Sequence, residues 1–370
     1  MLERPVGSGF VPGALAVLAR HGEVHVETIG NLAFEGAGST TPMATDTICR
    51  LGSTSKPIVA ACAMTLVEDC TLRLDDPVDD LLPELANMTV LADPDGPLED
   101  TVPARRAITL RDLLTYTLGT GMVPAEPGTV PIADALDTVG APPPDEWIRR
   151  LGALPLVHQP GERWMYDTAA DVTGVLIARA TGKSFGDALR ERICDPLGMK
   201  DTGFLVGGES IDRLATAYAA SGDRVAEDGP DGVWSRPQDF ESGGGGLVTT
   251  ADDFLAFTSA LLAGGAGVLS RAAVTLMTTD QLSPEVKAVS GFWPGYFDRM
   301  GWGFGMSVQT RRTHLGPSVG SYGWPGYYGT AWYNDPAEDM TAFFMMQRAH
   351  AGDQRLPMWQ DIWTAVYQAI

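Results

Sequence analysis

The stretch Ser53-Thr54-Ser55-Lys56-Pro57 decides how the rest of the chain is interpreted. Residues i and i+3 of a helix lie on one face, so the Ser53 hydroxyl and the Lys56 amine can approach each other. Proline is tolerated in the first helical turn, where its missing N–H costs no hydrogen bond, and Pro57 therefore predicts a helix that begins around Ser53 or Thr54. The Ser53 N–H would then be free at the positive end of the helix, where it can face a developing oxyanion. This pattern predicts a nucleophilic serine with a lysine as its base.

Lysine is rare in this chain, which gives the motif more weight than a short pattern usually has. Of the 26 basic residues only four are lysines, and Lys183, Lys200 and Lys287 have no serine three positions before them. A Ser-x-x-Lys pattern alone arises often by chance. Lys56 can act as a base if burial and nearby positive potential lower its pKa.

Two further segments carry groups that such chemistry needs. Tyr166-Asp167-Thr168 precedes a predicted helix, and the Tyr166 phenol can relay a proton between the serine, the lysine and a leaving group. The stretch 323–330 is rich in glycine, so a backbone N–H there can approach a substrate and complete an oxyanion hole with that of Ser53. The simpler alternatives are a half-buried aromatic residue and a glycine-rich hairpin turn.

The composition excludes several classes of protein. The chain has 370 residues, of which 44% are hydrophobic, so it can bury a large core. Its net charge of −21 argues against a nucleic-acid partner, because affinity for phosphates depends on clustered Lys and Arg. No apolar run is long enough to span a membrane and the first residues do not resemble a signal peptide, so we expect a cytoplasmic protein with no membrane partner.

No metal or cofactor is expected from the sequence. The four cysteines form no C-x-x-C pair, and the five histidines are scattered with no H-E-x-x-H pattern among them. The sequence leaves homo-oligomerisation open.

The order of the predicted elements indicates the fold class. Strand-like runs occur at 14–18 and 23–27 and again at 302–309, 329–334 and 340–347. Helical signals dominate between them and return at 358–369. We therefore predict an α/β protein of the α+β type, with an antiparallel sheet built from both chain ends, flanked by helices, and a mostly helical inserted domain. The predicted boundaries are 1–78 and 225–370 for the discontinuous α/β domain and 79–224 for the helical domain.

Three helix starts are predicted from a Ser or Thr followed three residues later by an acidic residue, the spacing of a capping box. The pairs are Thr109 with Asp112, Ser184 with Asp187, and Thr250 with Asp253.

Taken together, these motifs resemble those of the serine β-lactamase and penicillin-binding protein superfamily, whose nucleophile motif reads S-x-x-K-P. Within it, the chain is most similar to the class C-like branch that includes the family VIII carboxylesterases. The similarity extends over almost the whole chain, in order and spacing. The matching segments are LDDPV at 74–78, ITLRDLL at 108–114, PLGMKDT at 196–202 and GGGL at 244–247.

The resemblance implies a role for each motif. Ser53 would be the acylated nucleophile, and Lys56 and Tyr166 its general-base pair. The backbone N–H groups of Ser53 and Tyr327 would form the oxyanion hole. A β-lactamase-like fold in two parts is implied as well.

Two departures from the β-lactamase pattern bear on the substrate. Where β-lactamases have Y-x-N, this chain has Thr168 in place of the asparagine, which removes an amide contact to a β-lactam side chain. Where they have K-T-G, this chain has Trp324-Pro325-Gly326, as in the W-x-G variant of the esterases. An indole cannot pair with a substrate carboxylate, so Trp324, Gly326 and Thr168 are expected to bind a neutral ester. The alternative third motif, 314–316, does not fit the register of the strand that follows.

The sequence thus predicts a serine carboxylesterase acting on a small-molecule ester. One alternative keeps the site and changes the substrate, to give a β-lactamase, a D-amino-acid amidase or an acyltransferase. Another is a non-catalytic scaffold of the same fold, but such a protein would be expected to lack the serine or the lysine. Aromatic residues near Trp324, with the loop around Trp234 and Phe240, are expected to line an acyl pocket. Tyr116 can also reach the site, but no sequence pattern places it there.

Overall fold

The structure is a computed structural model that describes residues 2–220, 224–349 and 355–370, with the backbone alone at 355–357. Its largest element is an antiparallel sheet of seven strands, two from the start of the chain and five from its end. They are β1 (Gly13–Arg20), β2 (Glu23–Gly30), β9 (Met300–Trp302), β10 (Ser307–Gln309), β11 (Tyr322–Gly323), β12 (Ala331–Asp335) and β13 (Met340–Met346). The order across the sheet is β2-β1-β13-β12-β11-β10-β9, so β1 and β13 join the two ends of the chain. The predicted sheet from both chain ends is confirmed.

Three short two-stranded sheets lie outside this large one. Their strands are β3 (Cys49–Arg50) with β8 (Val248–Thr249), β4 (Thr89–Leu91) with β5 (Thr101–Pro103), and β6 (Ala217–Tyr218) with β7 (Ala226–Asp228). The β3–β8 pair matters for the site, because the chain leaves β3 directly for the turn that carries Ser53.

Twelve α-helices lie in the described part of the chain. They are α1 (Glu3–Gly7), α2 (Lys56–Glu68), α3 (Leu110–Thr115), α4 (Pro131–Asp137), α5 (Pro144–Gly152), α6 (Thr168–Thr181), α7 (Phe185–Leu189), α8 (Asp195–Leu197), α9 (Ala251–Leu262), α10 (Arg271–Met277), α11 (Pro284–Ala288) and α12 (Arg355–Gln368). None of the described helices has the length and apolar character needed to cross a membrane.

Helix α2 lies at the centre of the main hydrophobic core. Every residue from Lys56 to Leu66 is buried, which is typical of a helix that is apolar on all sides. It packs against α6 and α10, and α9 packs against β12 and β13. The opposite face of the sheet is covered by α12, whose Ile362 and Trp363 pack on Phe344 and Met346. The residues at the start of α2 are therefore held rigidly by packing on several sides.

The predicted helix starts agree with the structure. Thr109, Ser184 and Thr250 each accept a hydrogen bond from the backbone N–H three residues later, and Thr109 and Asp112 form a complete capping box. The domain boundaries at 78/79 and 224/225 stay predictions.

One predicted element is wrong. The run 302–309 is not a single strand, because a turn at 303–306 divides it into the ends of β9 and β10. Gly305 in this turn has φ +71°, and a methyl group on it would lie 2.8 Å from the Lys56 carbonyl oxygen. The turn exists because this backbone must pass close to the start of α2, which only glycine permits.

Candidate active site

The nucleophile turn has the geometry that the Ser-x-x-Lys-Pro spacing predicts. Residues Gly52–Ser55 form a 3₁₀ helix that continues into α2 at Lys56, with Pro57 in the first turn. The Nζ atom of Lys56 lies 2.9 Å from Oγ of Ser53. The lysine side chain is fully buried, whereas Ser53 reaches a large cleft. A buried amine thus faces the hydroxyl of an accessible serine.

The amine of Lys56 has two further polar partners, one from each neighbouring segment. The Oδ1 atom of Asp167, the residue just before α6, lies 2.6 Å from Nζ. The carbonyl oxygen of Gly244, in the glycine run 243–246, accepts a hydrogen bond from the same nitrogen. Nζ also lies 4.7 Å from the centre of the Tyr166 ring. Three separate parts of the sequence therefore meet at this amine.

The pKa of Lys56 is raised, although a lowered pKa is the condition under which a lysine acts readily as a base. Burial disfavours the charged form, but the neighbouring Tyr166 and the carboxylate of Asp167 outweigh it and hold the lysine pKa above its ordinary value. The Ser-x-x-Lys pattern does not by itself determine this pKa, and the nearest charged side chain is the carboxylate of Asp167 rather than a cation. The protonated amine is therefore the stable form in the free protein at neutral pH.

Tyr166 and Trp324 are joined by a hydrogen bond. The indole Nε1 of Trp324 donates to the phenol oxygen of Tyr166 at 2.8 Å, and the two ring centres are 5.6 Å apart. The opposite side of the phenol ring stacks on Trp164, with ring centres 5.6 Å apart. Because the phenol oxygen accepts this bond, its own proton remains available for donation elsewhere.

A buried carboxyl group that sequence reasoning missed lies one turn further along α6. Asp171 accepts hydrogen bonds from Oγ of Ser242 at 2.8 Å and from the backbone N–H of Gly244 at 2.9 Å. Burial, reinforced by the charge of Asp167, raises the pKa of Asp171 to about 6. Asp171 thus binds the backbone N–H of Gly244, the same residue whose carbonyl oxygen contacts Lys56. In the sequence, Asp171 is marked only by its position one helical turn after Asp167. That spacing does not indicate that Ser242 and Gly244 are its hydrogen-bond partners.

The backbone around Tyr327 lies close to the nucleophile turn. A methyl group on Gly52, which has φ +54°, would lie 2.8 Å from the amide nitrogen of Tyr327. A methyl group on Gly326 would lie 1.9 Å from the carbonyl oxygen of Leu51. Both glycines are therefore required for this approach. Within the described ranges of the chain, the Tyr327 N–H has no hydrogen-bond acceptor.

The cleft that Ser53 reaches has a volume of about 1090 Å³. Tyr166, Asp167 and Trp324 line it together with the serine, and the rest of its surface is largely apolar. These apolar and aromatic residues are Met122, Phe204, Val233, Trp234, Phe240, Phe292, Trp293, Tyr296, Met300, Pro325, Tyr327, Tyr328, Tyr333 and Trp359. Trp234 and Phe240 thus lie where the sequence predicts an acyl pocket.

Apart from the buried Lys56, three candidates from the sequence do not line this cleft. Thr168 is the first residue of α6 and is half-buried beside it. Gly326 packs against the nucleophile turn, as its close approach to Leu51 requires. Tyr116 is 2% exposed and lies behind Tyr166, with ring centres 6.1 Å apart. Metal ligands do not cluster either: the described residues contain no group of three that could hold an ion.

Comparison with known proteins agrees with this geometry. The sequence model of the family named Beta-lactamase matches residues 1–366. The chain is 39% identical to Protein Rv1367c of Mycobacterium tuberculosis, over 92% of this chain and 86% of that protein. It is 32% identical to Esterase EstB of Burkholderia gladioli, over 92% of this chain and 87% of that esterase.

Among solved structures, one similar chain is described as "EstCE1, a hydrolase with promiscuous acyltransferase activity". It superposes with a TM-score of 0.80 and 25% sequence identity, covering 100% of this chain and 96% of its own. The likeness therefore extends over the whole fold.

Proposed function

The chain belongs to the Beta-lactamase family of hydrolases, as its motifs predict, and we propose that it cleaves carboxylic esters through an acyl-enzyme on Ser53. The observation that carries this proposal is Trp324. By the motif resemblance it stands where β-lactamases have the K-T-G lysine, and its N–H is bonded to the Tyr166 phenol at 2.8 Å. The 32% identity to Esterase EstB supports the same substrate class.

The proposed acylation uses the contacts around Lys56. In its neutral form the amine takes the Oγ proton of Ser53 as Oγ attacks the ester carbonyl carbon. The oxyanion that develops is stabilised by the N–H groups of Ser53 and Tyr327. Tyr166 helps to return the proton to the departing alcohol, which leaves the acyl group on Ser53 for attack by water.

The surroundings of the serine favour an ester over a β-lactam. A β-lactam carries a carboxylate that needs a cation close to the reacting carbonyl, and Trp324 supplies none. Among the described residues that line the cleft, the one cation is Arg299, which also lines a smaller adjoining cavity with Tyr333 and Trp359. The aromatic surface near Ser53 suits a neutral acyl group or alcohol.

The test compares hydrolysis of p-nitrophenyl butyrate with hydrolysis of a chromogenic cephalosporin. We expect turnover of the ester and its loss in the Ser53→Ala variant. A fluorophosphonate probe should label the wild-type protein and not the variant. Turnover of the cephalosporin alone would show that the esterase proposal is wrong, and absence of both turnover and labelling would favour the non-catalytic scaffold.

A second candidate function is acyl transfer to an alcohol. The apolar cleft favours it, because an alcohol that binds there competes with water for the acyl-enzyme, and EstCE1 is described as having this activity. Adding a primary alcohol to the ester assay and measuring the ratio of new ester to free acid decides between the two. Hydrolysis is the main activity if free acid predominates at every alcohol concentration.

A further inference from the structure

We propose that Asp167 is a positioning residue of this site. Together with the Gly244 carbonyl, its carboxylate fixes the Lys56 amine so that the remaining direction of Nζ faces Ser53, and it stabilises the positive charge that the amine gains with the serine proton. The inference rests on the proposed function, in which Lys56 is the base for Ser53.

The orientation of the Lys56 amine follows from which of its three partners, Asp167, Gly244 and Ser53, can donate a hydrogen bond. A neutral lysine amine has two N–H groups and one lone pair. The carboxylate of Asp167, 2.6 Å from Nζ, and the carbonyl of Gly244 can only accept hydrogen bonds, so they take the two N–H groups. The lone pair is then directed at the Ser53 hydroxyl, 2.9 Å away, which can donate its proton. Without the carboxylate, the amine could rotate and present an N–H to the serine instead.

The backbone of Asp167 supports a functional reason for this contact. Its φ of +87° and ψ of −69° lie in a region that residues with a side chain rarely adopt. Such strain persists where the surrounding structure requires it, and it is concentrated at functional sites. Here it lets Tyr166 stack on Trp164 while the next side chain reaches Lys56.

The charges near the amine single out Asp167. The titratable groups that face Lys56 are Tyr166, Asp167 and Asp171, with Tyr116 behind the Tyr166 ring. Asp171 is engaged by Ser242 and by the backbone of Gly244. Across the described residues, Asp167 is the one carboxylate within ion-pair distance of Lys56. Its side chain is 49% exposed, whereas that of the lysine beside it is fully buried.

During acylation one proton moves from Ser53 to Lys56 and then to the departing alcohol, and none is transferred to or from Asp167. The Oγ–H bond of Ser53 breaks as Oγ bonds to the ester carbon, and the proton moves to Nζ of Lys56. The resulting ammonium gives that proton to the oxygen of the departing alcohol as the ester C–O bond breaks. Asp167 exchanges no proton in these steps, and its contact with Nζ stabilises the ammonium stage.

The test substitutes Asp167→Asn, which keeps an oxygen acceptor, tolerates positive φ and removes only the charge. Because the chain has four lysines, labelling them with ¹⁵N gives four side-chain amine signals, and a Lys56→Arg sample identifies the one of interest. We expect the titration midpoint of Lys56 to fall by about one pH unit or more, since an adjacent opposite charge shifts a pKa by that amount. The acid limb of the kcat/KM profile for the ester should move to lower pH with it.

Asp145→Asn is the matched control. It removes the same charge from an exposed ion pair with Arg179, so it should leave the Lys56 midpoint and the kcat/KM profile unchanged. The proposal is overturned if Asp167→Asn behaves like this control. If the wild-type protein hydrolyses no ester, the proposed function fails, and the Lys56 midpoint still decides whether Asp167 sets the charge of that amine.

Discussion

Replacing Trp324 with phenylalanine tests whether this residue acts on the catalytic tyrosine or on the substrate. The substitution keeps an aromatic ring beside Trp302, whose ring centre is 4.6 Å from that of Trp324, and it removes the indole N–H. The bond lost is the one of 2.8 Å to the phenol oxygen of Tyr166. No other hydrogen bond of this indole nitrogen occurs in the described structure.

The expected loss follows from the strength of that bond. A hydrogen bond between neutral groups contributes about 0.5–1.5 kcal/mol net, which corresponds to roughly a two- to thirteen-fold fall in rate. Because the bond orients Tyr166 rather than the substrate, we expect the fall in kcat for p-nitrophenyl butyrate, with KM nearly unchanged. Trp324 is only 5% exposed, so the smaller phenylalanine ring leaves a cavity, and the free energy of unfolding should fall by about 1–3 kcal/mol.

A double-mutant cycle separates this effect from general damage. In a Tyr166→Phe background the phenol oxygen is absent, so Trp324→Phe should cause little further loss of kcat. Independent, additive effects of the two substitutions would refute the reasoning. A rise in KM with kcat unchanged would refute it as well, because it would make Trp324 a substrate contact only.

Three other predictions follow from the same contacts. Because the pKa of Lys56 is held above its ordinary value and its neutral form is the base, kcat/KM should rise about tenfold per pH unit between about pH 7 and 9, and a flat profile would contradict this. Gly52→Ala should lower kcat about a hundredfold, because the new methyl group would lie 2.8 Å from the amide nitrogen of Tyr327 and displace it. Gly36→Ala is the control, since Gly36 also has a positive φ but no atom near the added methyl group, and it should leave kcat unchanged. Asp228→Ala leaves the fully buried Arg50 guanidinium without its carboxylate, and urea unfolding should show a loss of about 3–5 kcal/mol; a change below about 1 kcal/mol would contradict it.

The parts of the site that the sequence predicts are those fixed by local geometry. Ser53 and Lys56 are one helical turn apart, and Pro57 determines where that helix begins, so their approach needs no knowledge of the rest of the fold. The capping residues Thr109 and Thr250 are predictable for the same reason, because their partners lie three residues away. The sheet from both chain ends could be predicted from the alternation of its longer strands.

The parts that the sequence does not predict depend on contacts between distant segments. Asp171 and Ser242 are 71 positions apart, and nothing in the pattern around either residue indicates the other. Asp167 stands at the variable position of the tyrosine motif, and its contact with Lys56 depends on a φ of +87° that an aspartate does not suggest. The raised pKa of Lys56 likewise depends on Tyr166 and on this carboxylate, which the spacing of Ser53 and Lys56 does not indicate.

The glycine run 243–246 connects these distant contacts. A methyl group on Gly243 would lie 2.3 Å from the carbonyl oxygen of Ala170, so glycine is needed for the loop to reach α6. This close approach lets the N–H of Gly244 donate a hydrogen bond to Asp171. The carbonyl oxygen of Gly244 then accepts a hydrogen bond from Lys56. The amine proposed as the base for Ser53 is therefore held partly by main-chain atoms whose position depends on the absence of side chains. Substitutions in this loop should act on the chemistry of Ser53 even though none of its residues carries a functional group.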